Sequence, residues 1–147
     1  MILGEIDCRE GVVLATQKDR YESVDEAMKK VIDVYVETLV ALTKAPYNFR
    51  VLVHPIAPVL DVTRHLCMRF NALLMPRVKS AIGSRRPIHW LNFVDDLLVE
   101  EIGSGSGSGA SNSGEQLSLR PELRLDGTHL APAYLSLVES ELQRLEL

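Results

Sequence analysis

Apolar positions recur at helical spacing between residues 23 and 42 of the chain. Ser23, followed three residues later by Glu26, forms a capping box, which is typical of the first turn of a helix. The apolar residues that follow are spaced by three and four, as on one face of a helix: Val24, Met28, Val31, Ile32, Tyr35, Leu39 and Leu42. Pro46 disfavours the α conformation in the residue before it, so we predict that the segment 44–48 ends this helix.

Three apolar runs predict strands of a parallel sheet. They are Met1–Asp7, Arg50–His54 and Ile88–Val94, and the second is rich enough in valine and leucine to indicate a buried strand. Between the second and third runs, apolar spacing predicts a helix from about Val62 to Met75. Pro76 is expected to end or kink that helix, since proline cannot donate a backbone hydrogen bond.

A last helix is predicted after residues 126–129, with Pro132 near its first turn and one apolar face: Leu135, Val138, Leu142 and Leu145. The mixed apolar and polar composition of residues 10–21 predicts a loop or an irregular helical turn. Residues 103–114 are almost entirely glycine and serine, which predicts a flexible linker, either natural or engineered. The alternation of strands and helices favours a single α/β domain over residues 1–147, with right-handed crossovers. Because its first strand begins at residue 1, we expect strands of the complete fold to be missing in front of it.

Composition excludes few classes of function. The chain has 147 residues and a net charge of −4, and an acidic balance argues against a general nucleic-acid binder. It contains no apolar run of about 18 residues and no basic lead before an apolar run, so we expect neither a membrane partner nor a secretory signal. The two cysteines, Cys8 and Cys67, set no disulfide framework and favour a cytoplasmic protein.

Chemically active residues follow each predicted strand. Ligands of open α/β sheets bind at the carboxyl ends of the strands, so these residues are expected to converge on one edge and to line a cleft for an anion or an acyl group. The residues are Asp7, Cys8 and Arg9, then His54, Asp61 and Arg64, then Asp95 and Asp96, and finally Asp126 and His129. For Asp95 and Asp96 we favour the ordinary role of a turn former, a helix cap or a solvated charge.

The segment from Asp126 to Tyr134 resembles the Asp-x-x-His block of the SGNH/GDSL hydrolases. Met1–Asp7 is similar to the third strand of that family running into its Gly-x-Asn-Asp block, with Gly4 and Asp7 at matching positions. Arg50–His54 and Trp90–Asp95 are similar to the fourth and fifth strands. The resemblance covers nearly the whole chain but only the C-terminal half to two-thirds of the family's domain. It implies a flavodoxin-like three-layer α/β fold with a short parallel sheet, truncated at its N-terminus.

The resemblance implies an ester hydrolase that acts on O-acyl groups of carbohydrates or lipids without a metal or other cofactor. In that family the aspartate, here Asp126, orients the histidine, here His129, as general base to a serine. The Gly-Asp-Ser block that supplies the serine is absent from the chain, as is the glycine of the second block. Ile6 stands where the family has an asparagine oxyanion donor, and losing one such donor costs about a hundred- to a thousand-fold in rate. We therefore expect a catalytic dyad that is inactive in this chain.

The cysteines and histidines suggest two other chemistries, a thiol nucleophile and a metal site. Cys8 could replace the serine in a Cys–His–Asp arrangement, but a small, partly buried thiol is the commoner role for such a cysteine. His65 and Cys67 lack zinc-ligand spacing, and His54, His89 and His129 are dispersed, so no metal site is predicted. The candidates for substrate or anion binding are Gly4, Asp7, Cys8, Arg9, His54 and Arg64.

Three accounts of the chain remain open: a fragment of an ester hydrolase, a non-catalytic remnant that binds a partner or ligand, and a hydrolase that borrows a nucleophile from another chain. The predicted strand Met1–Asp7 is apolar and carries no lysine or proline, so it should act as an open edge that pairs with a second copy. We therefore predict a homodimer through this edge. The competing arrangement has residues 10–21 or 115–125 covering the edge within one chain.

Overall fold

The computed structural model describes residues 7–44, 50–81, 87–100 and 117–147. Its helices are α1 (Val12–Gln17), α2 (Val24–Leu42), α3 (Arg64–Ala81) and α4 (Leu135–Arg144). Its strands are β1 (Val51–Val53), β2 (Ile88–Trp90), β3 (Leu98–Glu100) and β4 (Leu117–Leu119). The predicted mixture of helices and strands is confirmed at this level, with helix predominating over two small sheets. No helix in the described ranges is long and apolar enough to cross a membrane.

Helix α2 begins where the capping signal predicts. The Ser23 hydroxyl accepts a hydrogen bond from the Glu26 amide at 3.2 Å, and the Glu26 carboxylate accepts one from the Glu22 amide at 2.8 Å. The apolar face of α2 packs against α3, and exposed ion pairs join the two helices, one of them between Asp25 and Arg69. Burial of one face therefore agrees with the predicted periodicity.

Helix α3 is longer than predicted, because it continues through Pro76 to Ala81. Proline removes one backbone donor, which favours a break at that point. Beyond it, however, Val78 is fully buried, one turn after the buried Leu74. Burial of this further turn offsets part of the cost of the proline, about 3 kcal/mol, since a fully buried valine contributes about 1.5 kcal/mol or more.

The second and third predicted strands pair as expected. β1 and β2 are parallel, with Val51 opposite Ile88 and Val53 opposite Trp90. Both strands are shorter than predicted, and β1 is only partly buried, since Leu52 is 41% exposed. One face of β1 is therefore exposed, whereas its apolar sequence predicts burial on both faces.

The first predicted strand lies almost entirely outside the described residues. Asp7 itself begins a π-helical turn, Asp7–Gly11, that leads directly into α1. The predicted strand therefore does not extend to Asp7. The region predicted as a loop or irregular turn, residues 10–21, contains the six-residue α1 followed by a turn.

An antiparallel pair, β3 with β4, was not predicted. Leu98 faces Leu119 and Glu100 faces Leu117, so the pair brings together the two ends of the connection 101–116. The predicted linker 103–114 lies within that connection and outside the described residues. Each strand has only three residues, which is too short for an alternating pattern to be recognised.

Two apolar clusters form the core. The first lies between α1, α2, α3 and the parallel sheet, and includes Met28, Ile32 and Phe70. The second is smaller and is covered by α4; its buried members are Val59, Leu91, Phe93, Leu97, Leu119 and Leu123. The predicted face of α4 was partly wrong, because Leu135 is 49% exposed whereas Glu141 is buried.

Candidate functional site

The segment 124–130 forms a short hairpin that carries the predicted dyad. Arg124 and Leu130 pair as an antiparallel bridge, and the Leu125 amide donates to the His129 carbonyl at 3.0 Å. The base of the hairpin is held by the second apolar cluster, in which Leu123 is buried and against which Leu130 packs. Residues 125–129 are all exposed. The dyad thus projects from the small cluster into solvent.

Asp126 closes the turn of the hairpin and contacts His129. Its carboxylate accepts hydrogen bonds from the Thr128 amide at 2.7 Å and the His129 amide at 2.8 Å, as in an Asx-turn. His129 Nδ1 lies 2.8 Å from Asp126 Oδ2. The Thr128 amide, followed by the His129 side chain, lowers the pKa of Asp126 to about 2, so the carboxylate is ionised at neutral pH. The predicted contact between the two side chains is confirmed, while their catalytic role stays a prediction.

The opposite nitrogen of His129 faces solvent. An ionised carboxylate can only accept, so Nδ1 carries the hydrogen of the contact with Asp126. The His129 side chain is 69% exposed, and among the described residues none hydrogen-bonds to Nε2. The imidazole is therefore oriented at one nitrogen and available at the other.

His54 lies on the same side of the fold as the C-terminal block. It follows β1 directly, and its Nδ1 donates to the Pro55 carbonyl at 2.6 Å. Its ring meets Phe93 edge to face at a centroid distance of 5.0 Å and Tyr134 at 6.0 Å. These contacts join the residue after β1, the segment after β2 and the segment after the dyad. His54 is exposed, so it is accessible to a ligand at this edge.

The guanidinium of Arg64 is engaged within the protein. Arg64 is buried, and it donates to the Pro58 carbonyl at 3.1 Å and to the Leu117 carbonyl at 2.9 Å. It also pairs with Asp61, which accepts a second hydrogen bond from Arg124 at 2.7 Å. The hydrogen bond from Arg124 is the largest effect on the pKa of Asp61, and it lowers that pKa. Arg64 therefore connects the start of α3 to β4.

Cys8 belongs to the first apolar cluster, and Arg9 follows it in the chain. The dyad, in contrast, lies beside the second cluster. Cys8 has no exposed surface, and Arg9 is 5% exposed and pairs with Glu10. Gly4 and the side chain of Asp7 lie outside the described part of the chain. Among the described residues, the predicted convergence is thus observed for His54, which contacts the C-terminal block, and for Asp61, which lies near Asp126, but not for Cys8 and Arg9.

An open groove of about 410 Å³ lies beside Asp126. It is lined by Asp61, Ser118, Leu119, Pro121, Arg124, Leu125 and Asp126. Sequence reasoning missed the role of Arg124, although an arginine two positions before the aspartate is visible in the sequence. Asp95 lies in an exposed turn, in agreement with the role favoured for it. Within the ranges that the structure describes, no group of three histidine, cysteine or carboxylate side chains could hold a metal ion.

Comparisons with protein-family models, with curated proteins and with solved structures find no match to this chain.

Proposed function

We propose that the chain is an SGNH/GDSL-like ester hydrolase domain in which Asp126 and His129 form the general-base pair. The observation that supports it most directly is the 2.8 Å contact between Asp126 Oδ2 and His129 Nδ1. A carboxylate at Nδ1 fixes the tautomer whose Nε2 lone pair can take a proton from an attacking hydroxyl group. The solvent-facing Nε2 of His129 meets the first requirement of a general base, which is access to the proton that it removes.

The arrangement of the parallel strands supports the family assignment. β1 and β2 are neighbours that pair in parallel, and they correspond in the proposal to the fourth and fifth strands of the family's flavodoxin-like fold. His54 at the carboxyl end of β1 contacts Tyr134, five residues after His129. This contact supports a position of the Asp-x-x-His block near the strand ends at which ligands of open α/β sheets bind.

The proposal includes the absence of esterase turnover by this chain alone. It has no Gly-Asp-Ser block, and the thiol of Cys8 is completely buried. A general base accelerates acyl transfer only when a nucleophile lies within hydrogen-bond distance of it. We therefore expect hydrolysis of p-nitrophenyl acetate to be no faster with this chain than with its His129→Ala variant.

The reactivity of the histidines tests the dyad without requiring turnover. Diethyl pyrocarbonate acylates an unprotonated imidazole nitrogen, and its sites are mapped by mass spectrometry. His129 should react faster than His65, an exposed histidine on α3. Asp126→Asn should lower the rate at His129 several-fold and leave the rate at His65 unchanged, since the amide no longer supports the charge that develops on the ring.

Different results would contradict the two parts of the proposal, the action of the dyad and the absence of turnover. Equal acylation rates at His129 in the parent chain and in Asp126→Asn would show that the carboxylate does not act on the imidazole. Saturable esterase activity that disappears in His129→Ala would show that a nucleophile is present after all. If Cys8→Ser also removed that activity, the thiol would be that nucleophile. Specific binding of a partner with no dyad-dependent reactivity would favour the non-catalytic alternative.

A further inference from the structure

The tip of the dyad hairpin is held mainly by bonds within the hairpin. Every side-chain hydrogen bond described for residues 125–129 joins two members of that same segment. Leu125 is 63% exposed, and a Cβ added to Gly127 would meet nothing within 4 Å. Apolar packing therefore fixes the base of the hairpin but contributes little at its tip.

Arg124, at the base of the hairpin, reaches a different part of the fold. Its Nη2 donates to Asp61 Oδ1 at 2.7 Å, and its Nη1 lies 3.4 Å from Oδ2. Asp61 begins the 3₁₀ turn that leads into α3, and its Oδ1 is also paired with the buried Arg64. The acceptor of Arg124 is thereby itself fixed, because Arg64 is anchored on two backbone carbonyl groups. A fork of two guanidinium nitrogens on one carboxylate restrains direction as well as distance.

We propose that Arg124 and Asp61 are positioning residues for the Asp126–His129 pair: their ion pair sets the hairpin against the start of α3 and so keeps the Asp126 carboxylate on His129 Nδ1. This inference rests on the proposed function, because it assigns the two residues to the same dyad. Arg124 forms the backbone bridge with Leu130, and Asp126 follows only two residues later. A change in the backbone orientation of Arg124 should therefore also move the turn that contains Asp126.

A positioning role and a purely electrostatic role predict opposite changes in the pKa of Asp126 when Asp61 is replaced. If the pair acts by holding the hairpin, removing either partner loosens the turn, and the Asp126 carboxylate loses part of its hydrogen bonding. If the partners act on Asp126 only through their charges, removing the cation raises the pKa of Asp126, whereas removing the Asp61 anion lowers it. The variants Arg124→Met and Asp61→Asn therefore separate the two mechanisms.

The test is a pH titration of the Asp126 side-chain carboxyl carbon by NMR in the full chain. We expect a pKa of about 2 in the parent protein and a rise toward the ordinary value of 3.8 in both Arg124→Met and Asp61→Asn. The double variant should show no larger rise than the larger single one, because both changes break the same contact. The amide signals of Thr128 and His129 should shift in the same three variants.

Arg120→Met is the matched control. Arg120 carries the same charge four residues earlier, but it pairs with Glu122 and donates to the Asp96 carbonyl, outside the hairpin. The Arg120→Met variant should leave the pKa of Asp126 unchanged. The inference is overturned if Arg124→Met leaves the Asp126 pKa and the Thr128 amide signal as in the parent, or if Asp61→Asn lowers that pKa. If Asp61→Asn unfolds the protein through its effect on Arg64, the Thr128 and His129 amide signals of Arg124→Met decide the question, because loss of charge alone leaves their hydrogen bonds to Asp126 intact.

The titration also separates this inference from the proposed function. A parent protein in which Asp126 titrates near 3.8 would contradict the dyad itself, before any variant is measured. A parent value near 2 that persists in Arg124→Met would retain the dyad and refute only the positioning role. Neither result depends on hydrolytic activity.

Discussion

Glu141 is the buried carboxylate that connects α4 to the rest of the molecule, and its replacement by alanine should destabilise the fold markedly. Its side chain is 12% exposed. One oxygen accepts from the Asn92 amide at 2.8 Å, and the two oxygens accept from Arg144 at 2.9 and 2.7 Å. The Asn92 contact spans 49 residues, so it ties α4 to the segment that follows β2. Replacing Glu141 should therefore weaken the packing of α4 over the second apolar cluster.

The magnitude follows from these contacts. A hydrogen bond to a charged group contributes about 1.5–3 kcal/mol, and this applies to the bond from the Asn92 amide. The Arg144 side chain is 54% exposed, so its ion pair contributes only about 0.3–0.5 kcal/mol. We expect Glu141→Ala to lower the free energy of unfolding by about 2–3 kcal/mol. Arg144→Ala should lower it by less than about 1 kcal/mol.

Urea denaturation followed by circular dichroism measures both variants, and Glu139→Ala is the control. Glu139 lies on the same helix but is exposed, so its replacement should change the free energy of unfolding by no more than about 0.5 kcal/mol. Destabilisation by Glu141→Ala no greater than that of Glu139→Ala would refute the reasoning. It would mean that water replaces the carboxylate at the Asn92 amide without cost.

Acidification gives an independent test of the same contact. The hydrogen bonds from Arg144 lower the pKa of Glu141 below its ordinary value of 4.5, against the opposing effect of burial. A group whose pKa is lower in the folded state contributes stability that is present above pH 4.5 and is lost as the pH falls through the folded-state value. The difference between the parent and Glu141→Ala should therefore shrink below pH 4.5. A difference that stays constant to pH 2.5 would contradict the assignment.

Three further predictions concern other parts of the molecule. Deleting residues 103–114 shortens the connection between β3 and β4 fourfold, which should raise the free energy of unfolding by about 1 kcal/mol; a lower thermal midpoint would contradict this. If residues 1–6 form an open edge strand, sedimentation at micromolar concentration should show a dimer; a single species near 16.4 kDa would refute the prediction. Asn71→Ala should cost about 2–4 kcal/mol in urea denaturation, because the buried Asn71 amide bonds both backbone groups of Ile56, whereas exposed Ala72→Ser should be nearly neutral.

The features that the sequence predicts well are those that depend on near neighbours. The start of α2 follows from Ser23 and Glu26, three residues apart, and its buried face follows from the helical period. The contact between Asp126 and His129 is equally local, because both side chains belong to one four-residue turn. Such contacts are predictable since they require only that the local conformation form.

The features that sequence reasoning missed depend on distant partners. The pairing of Arg124 with Asp61 joins residues that are 63 positions apart, and no local pattern indicates it. Glu141 falls between apolar positions of α4, and it points inward because the Asn92 amide is available there. β3 and β4 are each too short to show a pattern, and they form because each supplies the hydrogen-bonding partner of the other. In each case the deciding group lies far away along the chain.

The dyad combines these two kinds of contact, and this explains its geometry. The carboxylate of Asp126 accepts backbone hydrogen bonds that close the turn, and it also receives His129 Nδ1, so turn formation and imidazole orientation are a single event. The turn alone, however, does not determine where Nε2 faces relative to the strands. That direction depends on the base of the hairpin, which the second apolar cluster and the Arg124–Asp61 pair hold against the start of α3. The contact between Asp126 and His129 therefore forms within the hairpin, and in our proposal long-range contacts hold it in place. Because Nε2 faces solvent, the hydroxyl group that it would deprotonate must approach from outside the hairpin.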